Sequence, residues 1–527
     1  MVNPNLQPTR TPMAQQAPEV RCRNFREMAL GYTPEEAVRE ARRCLQCKNP
    51  ACVTGCPVGI PIPQFLAKVA QEDFAGAFAI LSRANALPRI SGRVCPQETQ
   101  CEGKCVRGLK QEPVAIGRVE RFVADWAARN HLSAVPARPR NGHRAAVIGS
   151  GPAGLTCAGE LARKGCAVTV FEAFHLPGGV LSYGIPEFRL PKAIVRQEVE
   201  DLKKLGVDFE TDMVIGRVLT IPELLQREYE TVFIASGAGL PQFLNIPGEG
   251  LVGVYSANEY LTRINLMKAW DPHSSTPVLH SRKAAVIGGG NVAMDAARCA
   301  RRLGAEVHIV YRRGAEELPA RKEEVLHARE EGIQFDLLTA PVSIQGDETG
   351  RVSALVCQKM ELGEPDASGR RRPVPIPGST YELPVDLVIL AVKDYAYREA
   401  LEQVGRFVGE DTILLPVLNG LDCARQAGEV YGPEKVLYAS MWVDASMENG
   451  TAVYNPRGMV RIGEARNDPP GPRVLALEDL FRRAGVRCRV EPDMIHCIWL
   501  KFMGNVSENL PCALLGVPYG AYREGWP

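Results

Sequence analysis

The sequence predicts an α/β protein with a helical, cysteine-rich front end, and three observations carry that expectation. A strand–turn–helix–strand pattern, RAAVIGSGPAGLTCAGELARKGCAVTVFEA, begins at Arg144. It returns at Lys283 as KAAVIGGGNVAMDAARCARRLGAEVHIVYRR, so one βαβ unit is used twice. Eight of the 16 cysteines fall before residue 106, among stretches of amphipathic helical pattern.

The chain of 527 residues is long enough for about three or four domains. Lys plus Arg is 62 and Asp plus Glu 61, a net charge of +1, which excludes a polybasic nucleic-acid binder as the main reading. No stretch approaches the ~18 apolar residues of a membrane span. The polar opening MVNPNLQPTRTPMAQQ lacks the apolar core of a signal peptide. These features predict a cytoplasmic protein with neither nucleic acid nor membrane as partner.

From the front, residues 1–20 read as a flexible lead. Thr33-Pro34-Glu35-Glu36 has the form of a capping box, with Thr as N-cap, Pro at the first helical position and Glu three residues after the cap. The helix it opens runs towards the first cysteines, and IPQFLAKVAQEDFAGAFAILSRA and VAIGRVERFVADWAARN are further helical patterns. The Pro- and Arg-rich AVPARPRNGHR is a linker. The expected domains are therefore 1–134, 135–282, 283–385 and 386–527, with 364–380 a loop before the apolar strand DLVILAV.

Cys44-x2-Cys47-x4-Cys52-x3-Cys56-Pro57 is followed by Cys95-x5-Cys101-x3-Cys105. In a reducing compartment such density signals inorganic ligation rather than disulfides. A Pro after the fourth cysteine is typical of iron–sulfur runs, and seven thiolates suggest two clusters with one ligand to find. Closed zinc sites are the alternative reading. The later cysteines are singletons with core or surface roles.

Gly149-x-Gly151-x-x-Gly154 follows an apolar strand and opens a helix, with Glu172 ending the second strand. Glycines there allow a tight turn and close approach of a pyrophosphate to backbone N–H groups, and the acid meets ribose hydroxyls. Gly179, in PGGVLSYGIPEFRLPK, and Gly237, in the turn ASGAG, are further candidates for the same site; an ordinary turn is the other reading of Gly237. The second unit, Gly288-x-Gly290-x-x-Ala293, lacks the terminal acid and has Tyr311-Arg312-Arg313 instead. An acid would repel a 2′-phosphate that arginine can hold in bidentate fashion, so NADPH is expected there ahead of NADH. A plain surface arginine pair is the bland alternative.

On these motifs residues 20 to about 392 resemble the family of the glutamate synthase small subunit, the large subunit of NADH-dependent ferredoxin:NADP oxidoreductase and dihydropyrimidine dehydrogenase. The resemblance implies two Rossmann-type domains, FAD on the first and NADPH on the second. It implies that Cys44, Cys47, Cys52 and Cys105 hold one 4Fe–4S cluster, and that Cys56, Cys95 and Cys101 hold another. A Gln or Glu oxygen completes the second set in the family, and Glu120 falls at that position; a solvated helix residue is its other reading. Electrons would pass from NADPH through flavin to the clusters and on to a partner subunit or a ferredoxin-like acceptor.

In that family a GGD-type strand and helix later complete the FAD site, and none follows DLVILAV. From about Asp386 the sequence instead resembles ketopantoate reductase, in DLVILAVKDYAYREALEQ, LLPVLNGLD and IWLKFMGNVSENL. That resemblance implies Lys501 as general acid, Asn505 and Asn509 as its polar companions, and Asn419 and Lys393 near nicotinamide and substrate. The bland reading of Lys501 is a snorkelling lysine. The reductase's own glycine-rich unit and its last helical region are missing, so the implied segment is a partial one. The expected activity is electron transfer, with a ketoacid reductase or a non-catalytic cluster-binding fragment as rivals.

Overall fold

The computed structural model describes residues 5–132, 139–227, 229–237, 239, 243–244, 246–365, 371–391, 412–415, 423–442, 445–448, 451–454, 459–484 and 486–498. The chain divides into two compact units, Met1–Lys393 and Asp394–Pro527. Among the described residues no helix is long and apolar enough to cross a membrane.

The front of the first unit is helical, as expected. Thr33 Oγ1 accepts from Glu36 N (3.2 Å) while Glu36 Oε2 accepts from Thr33 N (2.8 Å), so the capping box forms and starts the helix Pro34–Ala41. That helix packs through Ala37 and Ala41 on Phe65, Leu66 and Val69 of Ile62–Ala70, and on Val119, Phe122 and Val123 of Ile116–Arg129. From Asn5 onward the lead is held in place. Ala14–Gln15 pairs with Ala29–Gly31, and two buried guanidiniums gather the preceding carbonyls. Arg43 donates to Gln7 O (3.1 Å) and Pro8 O (3.0 Å), and Arg107 to Asn5 O (3.1 Å) and Gln7 O (2.6 Å). Side-chain donors thus replace a sheet neighbour, which no local pattern announces.

Each βαβ unit builds a parallel sheet. The first has the order Val207–Glu210, Ala167–Phe171, Arg144–Ile148, Thr231–Ile234. The second has the order Gln334–Leu337, Glu306–Tyr311, Lys283–Ile287, Leu387–Leu390, Val254–Ser256. Two expected boundaries are crossed here. Val254–Ser256 and the helix Ala257–Asn265 serve the second sheet although they precede residue 283, and Leu387–Leu390 fills the slot beside Lys283–Ile287 although it follows residue 385. The reason is burial: Leu387, Val388, Ile389 and Leu390 are an unbroken apolar run, which a parallel strand covered on both faces demands.

The expected loop 364–380 is largely strand. Val352–Pro365 and Arg371–Pro384 form a long antiparallel pair, with Thr339–Gly346 on the other side of the first. Pro373, Pro375 and Pro377 made the segment look like a loop. They are tolerated because Arg371–Pro384 is an edge strand, where missing N–H donors cost no ladder bonds.

In the second unit, Tyr438–Trp442 pairs antiparallel with Met459–Gly463, which pairs parallel with Cys488–Val490. The helix Pro472–Arg483 covers that sheet through Val474 and Leu477.

Within the first unit a buried ionic joint ties three segments together. Glu331 accepts from Arg298 (2.8 Å), Arg302 (2.6 Å) and Arg21 (3.0 Å), all four side chains being almost wholly buried. Arg189, after Phe188, pairs with Asp295 (2.7 Å) and Glu324 (3.1 Å), and Glu324 also meets Arg298. The guanidinium of Arg302 lies 3.7 Å from the centroid of the Phe188 ring. Burial pushes the Glu331 carboxyl up, but Arg298 and Arg302 outweigh it and hold it at about 2.

Removing one partner from such a set leaves charges buried without compensation. Glu331→Ala should therefore cost about 3–5 kcal/mol, read as a lowered first thermal transition. Because the folded carboxyl titrates below its unfolded value, its contribution is present above pH ~4.5 and lost as pH falls towards about 2. An acid-unfolding profile of Glu331→Gln should lack that step.

Candidate dinucleotide and cluster sites

The seven clustered cysteines are free thiols and fall into two neighbourhoods. Cys44 follows the helix Pro34–Ala41, and Cys105 sits between the short turns Glu102–Lys104 and Val106–Leu109. Burial first, then the charges of Cys52, Cys105 and Cys47, push the Cys44 thiol up to about 11. The other neighbourhood centres on Cys95 and Cys101. Burial raises Cys95 to about 11, with Glu120 and Cys56 adding to it. Cys101 is raised by burial and then by Glu102, Glu120, Cys95 and Cys56. Among the described residues no three His, Cys, Asp or Glu side chains converge to hold a single metal ion.

Glu120 is not a solvated helix residue. Its side chain is buried on the helix Ile116–Arg129, and Oε1 accepts from Asn85 Nδ2 and Ser91 Oγ, both at 2.7 Å. Burial pushes its carboxyl up to about 7. Asn85, Ser91 and Gln100, whose Oε1 accepts from Cys95 Sγ (2.9 Å), carry no motif and were invisible in the sequence.

The second neighbourhood is fixed against the first dinucleotide fold. Cys95 caps the helix Pro88–Val94, whose Ile90, with the preceding Leu87, enters the core formed by Val147, Leu155, Leu181 and Val199. Arg89 of the same helix pairs with Glu198 (2.8 Å) and Asp201 (2.7 Å).

In that fold Gly149 has φ +95°, and a Cβ there would lie 2.4 Å from Ala235 O, the start of the turn that bears Gly237. A Cβ on Gly154 would stand 1.9 Å from Gly149 O, so this helix can approach its turn only with glycine. Around Gly151 the space is open. A Cβ on Gly179 would meet Gly151 Cα at 2.7 Å, so the PGG segment lies directly on the glycine turn. Glu172 is buried and accepts from Ser150 N (3.0 Å), Ser150 Oγ and Phe174 N (3.0 Å). Ser150 also holds the PGG segment, accepting from Gly178 N at 2.8 Å. Sequence reasoning passed over Ser150 and Lys192. The Lys192 ammonium donates to the carbonyls of Leu181 (2.9 Å), Ile185 and Leu190 (3.0 Å), closing the loop after Gly179. Burial lowers it to about 8.

The second fold repeats this construction. A Cβ on Gly288 would lie 2.4 Å from Ala391 O, Gly290 faces open space and Ala293 is fully buried. Tyr311 ends the second strand, its hydroxyl donating to Glu317 O (2.8 Å). Arg312 is exposed, and Arg313 Nε donates to Arg371 O (3.0 Å). Asn291, just after Gly290, accepts from Arg321 N (2.9 Å). The Arg321 side chain reaches back to Glu98 (3.4 Å) and Gln97 (3.3 Å) in the loop that carries Cys95 and Cys101. Lys393, Asn419, Lys501, Asn505 and Asn509 lie outside the described residues.

Comparison with known proteins agrees with this layout. The family described as dihydropyrimidine dehydrogenase domain II, 4Fe-4S cluster, matches residues 21–132, and pyridine nucleotide-disulphide oxidoreductase matches residues 143–411. The glutamate synthase [NADPH] small chain of Halomonas elongata is 37% identical over 396 residues, 74% of this chain and 81% of that one. Its Escherichia coli counterpart is 36% identical over 382 residues, 71% and 80% of the two chains. The NADP(+)-dependent formate dehydrogenase subunit beta of Moorella thermoacetica is 38% identical over 383 residues, 67% of this chain, which spans only 53% of that longer relative. The resemblance of residues 386–527 to ketopantoate reductase finds no support. The pyridine nucleotide match runs on through residue 411, and DLVIL is a strand of the second dinucleotide sheet. An iron–sulfur domain joined to paired dinucleotide folds, at this identity and coverage, places the chain in the family of the glutamate synthase small chain.

Proposed function

We propose that the chain is an NADPH-dependent oxidoreductase passing electrons from NADPH through FAD to two 4Fe–4S clusters and on to a partner subunit or a ferredoxin-like acceptor. The observation that carries this reading is the grouping of the donors. Eight side chains fall into two crowded sets, Cys44, Cys47, Cys52 and Cys105 in one, and Cys56, Cys95, Cys101 and Glu120 in the other, with Cys101 and Glu120 buried and the other six half-buried. Thiolates packed so closely would repel one another, and cationic iron would relieve that repulsion. When bound, flavin accepts two electrons from a nicotinamide and releases them singly, which suits one-electron clusters.

This chain's own residues would do the rest. Gly149, Gly151 and Gly154 offer backbone N–H groups and room to a pyrophosphate, Glu172 offers its carboxylate to ribose, and Gly179 and Gly237 border the same turn. Lys192 holds the loop beyond Gly179 by three carbonyls. Gly288, Gly290 and Ala293 form the matching cradle for NADPH. Arg312 and Arg313 stand where the 2′-phosphate would be received. The names of the relatives, small chains and beta subunits, support a partner subunit.

The deciding experiment is an anaerobic absorption spectrum, with iron and FAD quantified, before and after NADPH. About eight irons per chain, as two 4Fe–4S clusters require, and flavin bands that bleach are expected; iron with no bleaching flavin would refute the reading. Cys101→Ser should lose about half the iron, and unchanged iron would defeat the second ligand set.

Two further outcomes test the dinucleotide sites. Gly151→Ala should keep the thermal transition while retaining less FAD, whereas Gly154→Ala should lower the transition itself, by more than about 1 kcal/mol in stability. Arg312→Ser with Arg313→Ser should raise KM for NADPH several-fold with little change for NADH. Equal effects on both nucleotides would remove the phosphate role.

A further inference from the structure

The second dinucleotide unit ends its second strand on Tyr311-Arg312-Arg313, with no acid at the sequence position that would meet ribose. The fold nevertheless brings one to the same corner. Glu317 lies in the turn after that strand, and its carbonyl accepts from the Tyr311 hydroxyl (2.8 Å). The Tyr311 ring in turn stands against Gly289, in the middle of the glycine turn, 2.8 Å from where a Cβ would be. The Glu317 carboxylate lies over Gly314, the residue after Arg313, with Oε2 2.8 Å from a Cβ built there. Its side chain is only 9% exposed, so water does little to screen the charge.

A different element answers that charge. The edge strand Arg371–Pro384 begins with Arg371, whose Nε and Nη2 both donate to Glu317 Oε1, at 3.0 and 2.8 Å. This bond holds the Glu317 carboxyl below its usual range. Arg371 is fixed from the other side as well, since its carbonyl accepts from Arg313 Nε (3.0 Å). The hairpin guanidinium, the acid of the turn and an arginine of the strand end are thus one linked group. Arg312 and Arg372 are exposed beside it, and Glu316, also exposed, has its charge in water where it is screened.

We propose that Arg371 is a positioning residue for nucleotide choice: by neutralising Glu317 it keeps this corner open to a 2′-phosphate, and without it the same carboxylate turns the site towards NADH. The inference rests on the reading of the second unit as the NADPH site and adds the residue pair that sets its preference. NADH carries a ribose hydroxyl in place of the phosphate, and a bare carboxylate accepts a hydrogen bond from it. A doubly charged phosphate is repelled by the same carboxylate. A guanidinium tied to the acid reverses the balance, because the pair carries no net charge and leaves Arg312 and Arg313 to set the sign.

Calorimetry on the full-length holoprotein, with NADP+ and with NAD+ as probes, reads the preference without turnover. Arg371→Ala should weaken NADP+ binding roughly tenfold, the order expected of a newly bared charge near a doubly charged phosphate, and leave NAD+ within about twofold. Arg371→Ala/Glu317→Gln should recover most of the loss. Glu317→Gln alone should bind NADP+ at least as tightly as the wild type. Arg371→Gln carries the same test should Arg371→Ala not fold. An ion pair with a structural role alone gives a different pattern: each single variant weakens both nucleotides alike, and the double variant recovers nothing. That pattern, or unchanged NADP+ binding in Arg371→Ala, would overturn the proposal. Wild-type protein that binds NADP+ no tighter than NAD+, or that keeps its preference in Arg312→Ser/Arg313→Ser, would refute the NADPH reading of the second unit itself, and the role of the pair with it.

Discussion

The interaction on which the first unit depends is the buried set of guanidiniums around Glu331 and Glu324. Arg21 arrives from the N-terminal segment, Phe188 and Arg189 from the first dinucleotide fold, and Asp295, Arg298, Arg302, Glu324 and Glu331 from the second. An apolar joint of the same area would bind as well and slide more easily. A network of fork-shaped donors and carboxylates is satisfied only in one register, so it fixes three segments at one mutual orientation. Stability is the weaker part of its contribution, since desolvation offsets much of the Coulomb gain. What it supplies is placement. Electron transfer between separate groups needs fixed separations, and the Cys95 helix and the two glycine turns hang from these three segments.

The same logic runs at the smaller scale of the donor sets. Arg89 pins the Cys95 helix to Glu198 and Asp201, and Arg321 spans from the start of the second nucleotide helix to the loop between Cys95 and Cys101. Arginine recurs at these joints because its planar fork bonds to two partners at once and stays charged when buried. Burial and neighbouring anionic groups raise Cys44, Cys95 and Cys101 together, so all three are held as neutral thiols unless a cation comes to lie among them.

Much of this was legible in the sequence, and the division follows physical range. The capping box at Thr33 and the glycine turns are local statements, each settled within a few residues, and each forms as its residues predict. The boundaries at 282 and 385 were set on the assumption that a domain is continuous in sequence. Val254–Ser256 and Leu387–Leu390 instead pair with each other on one side of Lys283–Ile287, a pairing across more than a hundred residues that no window reveals. The Pro-rich 371–384 looked like a loop because proline forbids central strands but not edges, and edge position is a property of the sheet. Arg43 and Arg107 hold the lead by its carbonyls, Lys192 holds three carbonyls at the FAD-side turn, and Ser150 accepts there from the Gly178 N–H. Backbone carbonyls and N–H groups are present everywhere, so side chains that bind them leave no signature.

The ketopantoate reductase resemblance went astray at one strand for a related reason. DLVILAV suits any parallel strand buried on both faces, so it fits two unrelated nucleotide-binding sheets equally well. What distinguishes them is the neighbour. Val388 pairs with Ala285 on one side and Val254 on the other, and the strand's end places Ala391 O against Gly288 as Ala235 O stands against Gly149. The two units therefore share a rule deeper than the glycine motif. In each, the strand beside the glycine turn ends on a carbonyl 2.4 Å from where a Cβ on the first glycine would be, leaving the second glycine facing open space. They part at the third position, where Gly154 is forced by a contact of 1.9 Å while Ala293 keeps a buried methyl. The second helix thus has room for a Cβ beside its turn that the first does not, a difference of one methyl group between two cradles otherwise built alike.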